Sequence, residues 1–211
     1  MLGANDGIVS TASLILGVAA SGAERPALLV AGIAGLVAGA MSMAAGEYVS
    51  VSSQSDVERA DIAREKQALL DDPIGEEAEL AAIYVARGLS EATARQVARE
   101  LTESDALGAH VRDELGLTDE QSAQPLLAAV ASAMTFSAFA AIPLIAAVLA
   151  PAAVLIPTVV VVTLIALTGL GALGAIAGGA AIGPAALRVV VWGGLAMAVT
   201  AGVGRLFGVS V

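Results

Sequence analysis

The sequence predicts an all-α membrane protein with five transmembrane helices and a helical, acidic insert between helices 2 and 3. Three observations lead to this fold class. Hydrophobic residues make up 57% of the 211 residues and charged residues only 14%, whereas an average soluble domain carries about 25% charged residues. The mean hydropathy is strongly positive, +0.84. Residues 125–187 contain no charged side chain, and most ionisable residues fall in one segment, 53–122.

Charge is concentrated in this segment, which holds 17 acidic and 7 basic side chains and so accounts for the formal net charge of −10 of the whole chain. Such acidity argues against a protein that binds nucleic acid. Because the chain has no cysteine, disulfides, thiolate metal sites and cysteine nucleophiles are excluded. We therefore divide the chain into residues 1–52 with transmembrane helices 1 and 2, an insert at 53–122, and residues 123–211 with helices 3 to 5.

Five stretches are long and apolar enough to cross a bilayer as helices, which takes about 20 residues each. The predicted spans are Leu2–Ala23, Ala27–Val51, 126–148, 153–180 and Arg188–Phe207, with a loop at 184–188 before the last. The first stretch could instead be a secretory signal peptide that ends at small residues near Ala23. Asp6 within the stretch and the lack of a preceding basic residue argue against that alternative.

The positive-inside rule predicts that the insert faces the cytoplasm. Five spans place the two termini on opposite sides, and the insert then shares its side with the loop before the last span. That side has more basic residues near the membrane than the other: Arg59, Arg64, Lys66 and Arg188 against Arg25 and Arg205.

The insert is predicted to form four short helices. The first covers Val57–Leu70, Asp72 and Pro73 begin the second, Ser90 caps the third, and the fourth ends at Gly116. Residues 118–121 have the spacing of a capping box that leads into the third span. Apolar residues are sparse, so we expect a metal ion, a second subunit or both to complete this small core.

Two carboxylates in the first two spans are candidate functional residues. Asp6 and Glu47 lie in predicted spans that hold no Lys or Arg to neutralise them, and such groups usually face a water-filled path or a partner. Met43 lies four residues before Glu47, hence on the same helix face. Hard oxygen and soft thioether donors together suit Fe²⁺ or Mn²⁺ better than Mg²⁺ or Ca²⁺. The alternative is that Glu47 is a solvated helix end and Met43 ordinary packing.

The insert contains two pairs of candidate metal ligands with helical spacing. Glu76 and Glu79 lie three residues apart, and His110 and Glu114 four apart, so each pair shares one helix face. Helical bundles assemble carboxylate-rich metal sites from such pairs. In so acidic a segment, a solvated surface is the alternative explanation.

A glycine-rich stretch, Gly169-Leu170-Gly171-Ala172-Leu173-Gly174, matches the dinucleotide-binding pattern GxGxxG. It lies inside a charge-free span with no preceding soluble strand and no acidic residue about twenty positions further on. Small residues in a span instead let helices approach closely. Because the only histidine lies in the insert, no Ser–His–acid or zinc-hydrolase arrangement is available, and the sequence holds no enzyme signature.

Several segments resemble the vacuolar iron transporter family, in order along essentially the whole chain. Asn5-Asp6-Gly7-Ile8-Val9-Ser10-Thr11 resembles its first-span motif, and Ser42-Met43-Ala44-Ala45-Gly46-Glu47-Tyr48-Val49-Ser50 its second-span motif. Ile83-Tyr84-Val85-Ala86-Arg87-Gly88-Leu89 and Asp113-Glu114-Leu115-Gly116-Leu117 resemble the insert of bacterial members.

The resemblance implies a homodimer in the bacterial inner membrane that transports Fe²⁺, often Mn²⁺, out of the cytoplasm in exchange for protons, without a prosthetic group. Carried over by position, Asp6 and Met43 match ligands of the translocation path. Glu65, Glu76 and Glu79 match metal-binding glutamates of the insert, and His110 and Glu114 match its last cluster. Ala68 and Val111 replace acids that the family can carry, which leaves the number of bound ions open.

Two other functions remain as alternatives at the level of sequence. A membrane-anchored metal sensor or buffer would use the insert alone, but it has no reason to keep an unpaired carboxylate in a span. A proton-linked transporter of organic cations would need aromatic residues along its cavity, and the chain has one Trp and three Phe.

Overall fold

A computed structural model describes residues 2–117 and 123–208 of the chain, and within these ranges it contains helices and no strand. The α-helices of the described residues are α1 (Leu2–Ala20), α2 (Arg25–Asp71), α3 (Pro73–Ala86), α4 (Glu91–Asp113), α5 (Pro125–Leu149), α6 (Leu155–Ala177) and α7 (Ile182–Gly208). A short 3₁₀ helix, Ala152–Val154, precedes α6. The all-α fold class is confirmed. The expected capping box at 118–121 lies outside the described residues.

Five helices of the described chain are long and apolar enough to cross a membrane, as predicted: α1, α2, α5, the segment Ala152–Ala177 that contains α6, and α7. In α2 the apolar part is the N-terminal half, and the C-terminal half is highly charged. The protein is therefore an integral membrane protein of the expected architecture.

The expected separate helix at Val57–Leu70 is wrong, because α2 continues without a break from Arg25 to Asp71. Between residues 47 and 71 the composition changes from apolar to charged, but no glycine or proline occurs there. A change in polarity alone does not end a helix, whereas glycine and proline do. The first element of the insert is thus the second half of α2.

The expected loop at 184–188 is also wrong, because α7 begins at Ile182 and includes these residues. Pro184 lies in the first turn of α7, where its missing N–H costs nothing since the first turn has no carbonyl partner for it. The proline therefore marks a helix start rather than a loop.

The caps predicted for the second and third helices of the insert are confirmed. The Asp72 carboxylate accepts a hydrogen bond of 3.0 Å from the Gly75 N–H, and the Ser90 hydroxyl accepts one of 3.3 Å from the Thr93 N–H. The expected third and fourth helices are both present and are joined in α4, where the non-helical backbone of Asp105 (φ −159°, ψ 86°) separates them. The Asp105 carboxylate accepts a 3.0 Å hydrogen bond from the Gly108 N–H and so caps the second half.

The chain divides into two compact units. The membrane unit comprises Met1–Tyr48 and Leu126–Val211, and the insert unit comprises Val49–Pro125. In the membrane unit, α1 packs against α6 and α7. It is also the most buried of the five candidate spans, with 44% of its window buried. The helix that carries Asp6 therefore lies at the centre of its unit.

Glycines permit the close approach of these helices. A Cβ added at Gly7 would lie 2.5 Å from the Phe136 carbonyl oxygen of α5, and one added at Gly171 would lie 2.7 Å from the Ala186 Cα of α7. Gly171 belongs to the GxGxxG stretch. The stretch therefore serves helix packing, as expected from its place in an apolar span.

Arg25 joins the start of α2 to the end of α5. Its guanidinium donates hydrogen bonds of 3.0 Å to the Ala150 carbonyl and 3.3 Å to the Ala147 carbonyl, and a further one to the Val148 carbonyl. The last carbonyls of a helix have no partner within the helix and carry its negative dipole end. Arg25 thus satisfies the end of α5, a role that the sequence did not reveal.

The apolar core of the insert unit is small. It consists of Leu80, Ala81, Ala98 and Ala109, with Tyr84 and Leu101 packed against it. Alanine side chains bury little surface, and hydrophobic stabilisation scales with the buried apolar area. Polar interactions must therefore fix much of the geometry between α3 and α4.

We predict that Gly171→Ala destabilises the membrane unit, because the new methyl group forces α6 and α7 apart. Overpacking of this kind costs about 1–3 kcal/mol, and it is measured as a lower melting temperature of the detergent-solubilised protein. Gly169→Ala is the matched control, since nothing lies within 4 Å of an added Cβ there and alanine favours a helix by roughly 0.5–1 kcal/mol over glycine. Equal melting temperatures of the two variants would contradict this account.

Candidate metal centre

Four side chains of the insert unit converge and define what we call the insert cluster. Glu65 comes from the second half of α2, Glu76 from the first turn of α3, and His110 from the end of α4, while Glu114 is the C-cap of α4. One ligand atom from each lies within 4.8 Å of the others. Residues from three helices, separated by up to 49 positions along the chain, therefore meet at one place.

The Nδ1 atom of His110 is at the middle of the insert cluster. It lies 2.9 Å from Glu65 Oε1, 3.0 Å from Glu114 Oε2 and 3.8 Å from Glu76 Oε2. Only the Glu114 contact has the geometry of a hydrogen bond, and Glu65 Oε1 is buried without a hydrogen-bond partner. A ring nitrogen carries at most one proton, so it cannot satisfy all three carboxylates.

Burial makes this arrangement of charges more costly. The side chain of His110 is fully buried and that of Glu65 is 9% exposed. Burial raises the pKa of the Glu65 carboxyl, and repulsion from Glu114, Glu76 and Glu79 raises it further, while His110 acts in the opposite direction. Three carboxylates around one imidazole repel one another unless a cation neutralises their charge.

Glu79 is close to the insert cluster without belonging to it. Its charge contributes to the raised pKa of Glu65, but it is exposed and is not one of the four converging residues. Glu76 and Glu79 were expected to act as a pair. The structure brings Glu76 into the cluster and leaves Glu79 at the surface.

The donor set of the insert cluster fits a transition-metal dication. Three carboxylates and one imidazole offer oxygen and nitrogen ligands, which suit Fe²⁺ and Mn²⁺, whereas Mg²⁺ and Ca²⁺ prefer oxygen ligands alone. Glu114 lies at the C-terminal end of α4, where the dipole of the helix also attracts a cation. The cluster can therefore bind one divalent ion.

Asp6 and Met43 line one cavity of about 180 Å³ in the membrane unit, which we call the Asp6 cavity. Asp6 lies on α1 and Met43 on α2, and the two were expected to act together. A Cβ added at Gly3 would lie 3.6 Å from Met43 Cε, so the methionine reaches across to α1. The remaining lining residues are Ser10, Thr11, Leu14, Gly35, Gly39, Ser42 and Phe136.

The walls of the Asp6 cavity are shaped by small residues of α2. Gly35 lies against the Leu14 side chain and Gly39 against the Phe136 ring, so closely that an added Cβ would overlap either. With no side chain of its own at these positions, α2 lets Leu14 and Phe136 pack against its backbone, and these two side chains form part of the cavity wall.

Glu47 does not line the Asp6 cavity, although it lies one helical turn after Met43. Its side chain is exposed, as are those of Tyr48 and Val49. Asp6 is also exposed in the single chain, and within the described residues no basic side chain lies within ion-pair distance of it.

Thr11 is a polar residue of the cavity that sequence reasoning missed. It is 1% exposed, and its hydroxyl oxygen has no hydrogen-bond partner. Hydroxyl groups in apolar helices usually bond to a carbonyl of their own helix, so its position in the chain gives no signal of an unpaired oxygen. Thr11 thus places a buried, unpaired hydroxyl oxygen next to the Asp6 cavity.

Comparison with known proteins finds one matching family model and several similar sequences. The model of the VIT family matches residues 1–205. A protein from Acanthamoeba castellanii named vacuolar iron transporter is 45% identical over 98% of this chain and 76% of its own length. Vacuolar iron transporter homolog 1 of Oryza sativa is 40% identical over 99% of this chain and 72% of its own length. Vacuolar iron transporter homolog 2.1 of Arabidopsis thaliana is 36% identical over 99% of this chain and 80% of its own length.

We predict that Glu76→Gln weakens binding of Mn²⁺ to the full-length protein in detergent by at least about tenfold, since even an outer-shell partner of a metal contributes that much. Glu79→Gln, on the same helix, is the matched control and should change the affinity much less. Isothermal titration calorimetry measures both. Equal losses in the two variants would place Glu79 in the site as well.

We predict that Glu65→Gln stabilises the metal-free insert at pH 7. A carboxyl whose pKa is raised by folding contributes stability below its ordinary pKa of 4.5, and this contribution is lost as the pH rises through the higher value of the folded state. Glutamine removes that loss. The melting temperature of metal-free protein, followed by circular dichroism from pH 4.5 to 7, should therefore fall less in Glu65→Gln than in the wild type. If the melting temperatures of both proteins fell equally with pH, the charged Glu65 carboxylate would not destabilise the metal-free insert.

Proposed function

This chain belongs to the VIT family, and from that premise we propose that it is a secondary transporter that exports Fe²⁺, Mn²⁺ or both from the cytoplasm. Relatives that are 36% to 45% identical to it are named vacuolar iron transporters or their homologues, which supports a divalent metal ion as the cargo. The observation that carries the proposal is the cavity shared by Asp6 and Met43.

The Asp6 cavity has the chemistry of a transport site. A carboxylate on an apolar span costs a few kcal/mol on insertion scales, and Asp6 has no basic partner within the described residues. A divalent ion supplies the missing positive charge. The Met43 thioether adds a soft ligand that favours Fe²⁺ and Mn²⁺ over Mg²⁺.

The insert cluster would collect ions on the cytoplasmic side. Its four donors bind an ion and also relieve the repulsion among their own carboxylates, so binding is coupled to the stability of the insert. The segment carries most of the acidic residues of the chain, and this charge raises the local concentration of cations.

We infer that the transporter works as a homodimer. In a single chain Asp6 is exposed on the surface of a membrane span, where lipid would face a charged group. A second copy placed over α1 and α2 would cover the Asp6 cavity and remove this cost. Two Asp6 carboxylates and two Met43 thioethers could then share one path.

Proton exchange is the coupling that we propose for the export. Asp6 is neutral when it binds a proton and charged when it binds a metal ion, so the two cargoes compete for one carboxylate. A proton gradient directed into the cytoplasm therefore drives the ion out. Such relays of acidic side chains are common in membrane transporters.

We predict that Asp6→Asn lowers metal flux to near background, because asparagine keeps the size of the side chain and removes the charge that offsets the ion. Met43→Leu conserves volume and loses only the thioether, so it should reduce the flux partially or change the preference between Fe²⁺ and Mn²⁺. The measurement is the uptake of each ion into proteoliposomes under an imposed pH gradient.

Glu47→Gln is the control. Like Asp6→Asn it removes one carboxylate from a membrane span, but Glu47 lies on α2 and outside the Asp6 cavity. We expect little change in its flux at an equal amount of reconstituted protein. Wild-type flux in Asp6→Asn would refute transport through this cavity and favour a membrane-anchored metal sensor or buffer that uses the insert alone.

A further inference from the structure

The last turn of α4 is tied to the end of α3 by a polar network. Asp113 Oδ2 accepts a hydrogen bond of 3.0 Å from the Tyr84 hydroxyl, and Asp113 Oδ1 forms an ion pair of 2.5 Å with Arg87. Arg87 also donates to the main-chain oxygen of Asp113 at 2.9 Å. Arg112 contacts Asp113 Oδ2 at 3.0 Å. The Asp113 side chain is only 8% exposed, whereas Arg87 is 47% and Arg112 53% exposed, so the network lies at the edge of the packed helix pair.

Both oxygens of Asp113 are therefore occupied by protein donors. Although it precedes Glu114 directly in the chain, Asp113 does not belong to the insert cluster. The two neighbouring acids have separate tasks: Glu114 is free to bind a cation, whereas Asp113 binds the end of α3.

The network is preorganised on the side of α3. The Arg87 guanidinium lies 5.2 Å from the centre of the Tyr84 ring, at the distance of a cation–π contact. Arg87 is the C-cap of α3, and the following Gly88 has φ +101°, a conformation that glycine adopts without strain. This turn holds Arg87 beside α4.

The network acts at the point where the insert cluster needs support. His110 lies one turn before Asp113, and Glu114 follows it at the end of the helix, where the Glu114 N–H bonds to the His110 carbonyl at 2.9 Å. Terminal turns fray readily. The apolar core beneath consists mainly of alanines and cannot by itself fix the rotation of α4 against α3.

We propose that Tyr84, Arg87 and Asp113 form a positioning clamp that holds His110 and Glu114 in reach of Glu76 and so sets the metal affinity of the insert. The proposal rests on the proposed function of the insert cluster as an ion-binding site. The clamp residues do not contact the ion, and they act through the two residues that they position.

The test compares three variants of the full-length protein in detergent. Asp113→Asn removes the charge that Arg87 and Tyr84 bind, and Tyr84→Phe removes one hydrogen bond but keeps the ring under Arg87. Arg95→Ala is the matched control, since it breaks an exposed ion pair with Glu91 on the same helix. Mn²⁺ affinity is measured by calorimetry. Ligation by the histidine nitrogen is measured by pulsed electron paramagnetic resonance, in which a ¹⁴N ligand modulates the spin echo of Mn²⁺.

We expect Asp113→Asn to weaken Mn²⁺ binding about tenfold, as outer-shell partners of metal ligands do. Tyr84→Phe should weaken it about two- to tenfold, in line with the loss of one hydrogen bond. Both variants should show reduced nitrogen modulation at unchanged helix content, and Arg95→Ala should match the wild type in both measurements.

The clamp would be refuted if Tyr84→Phe and Asp113→Asn kept the wild-type Mn²⁺ affinity and nitrogen modulation while Glu76→Gln still lost affinity. If Asp113→Asn loses helix content, Tyr84→Phe decides, and its wild-type behaviour would reduce the network to a purely structural role. If neither the wild type nor Glu76→Gln binds Mn²⁺, the proposed function of the insert cluster fails instead.

Discussion

Close packing around α1 is the constraint on which the membrane unit depends. Backbone polar groups in lipid must be satisfied within helices, and attraction between such helices comes largely from contact at short distance. Gly7 lets α1 approach α5, and Gly17 and Gly204 let it approach α7. With its other faces packed in this way, α1 presents Asp6 and Ser10 to the cavity beside α2. The position of the carboxylate is thus a consequence of where small residues lie on α1 and on α7.

A different balance governs the insert unit, where repulsion between carboxylates opposes folding and few apolar contacts compensate for it. Glu65 is buried against His110, and its pKa is raised by burial and by its acidic neighbours. A cation bound in the proposed insert site would convert this repulsion into attraction, so that the same residues would destabilise the metal-free unit and stabilise the metal-bound one. Strain in the metal-free state and affinity for the ion have one electrostatic origin.

Helix types and several helix ends were predictable because their signals are local. Asp72 with Pro73, and Ser90, begin helices for reasons that lie within one turn of chain. The two errors have different causes: a change in composition does not by itself end a helix, and a proline does not mark a loop when it lies in the first turn of a helix. The polar second half of α2 has no breaker, and Pro184 lies where a helix tolerates proline, so both segments remain helical.

By itself, the sequence determined the fold class, the number of spans and the acidic character of the insert, because hydropathy and charge are properties of composition and order. It also pointed to Asp6 as an unpaired charge in an apolar span. Only the tertiary structure decided which acids meet. Glu76 and Glu79 share a helix face, yet the first lies beside His110 and the second faces solvent. Which of the two enters the cluster depends on the positions of α2 and α4 next to α3. The same holds for Asp113 and Glu114, which are adjacent in the chain and differ because Arg87 and Tyr84, from another helix, bind only the first.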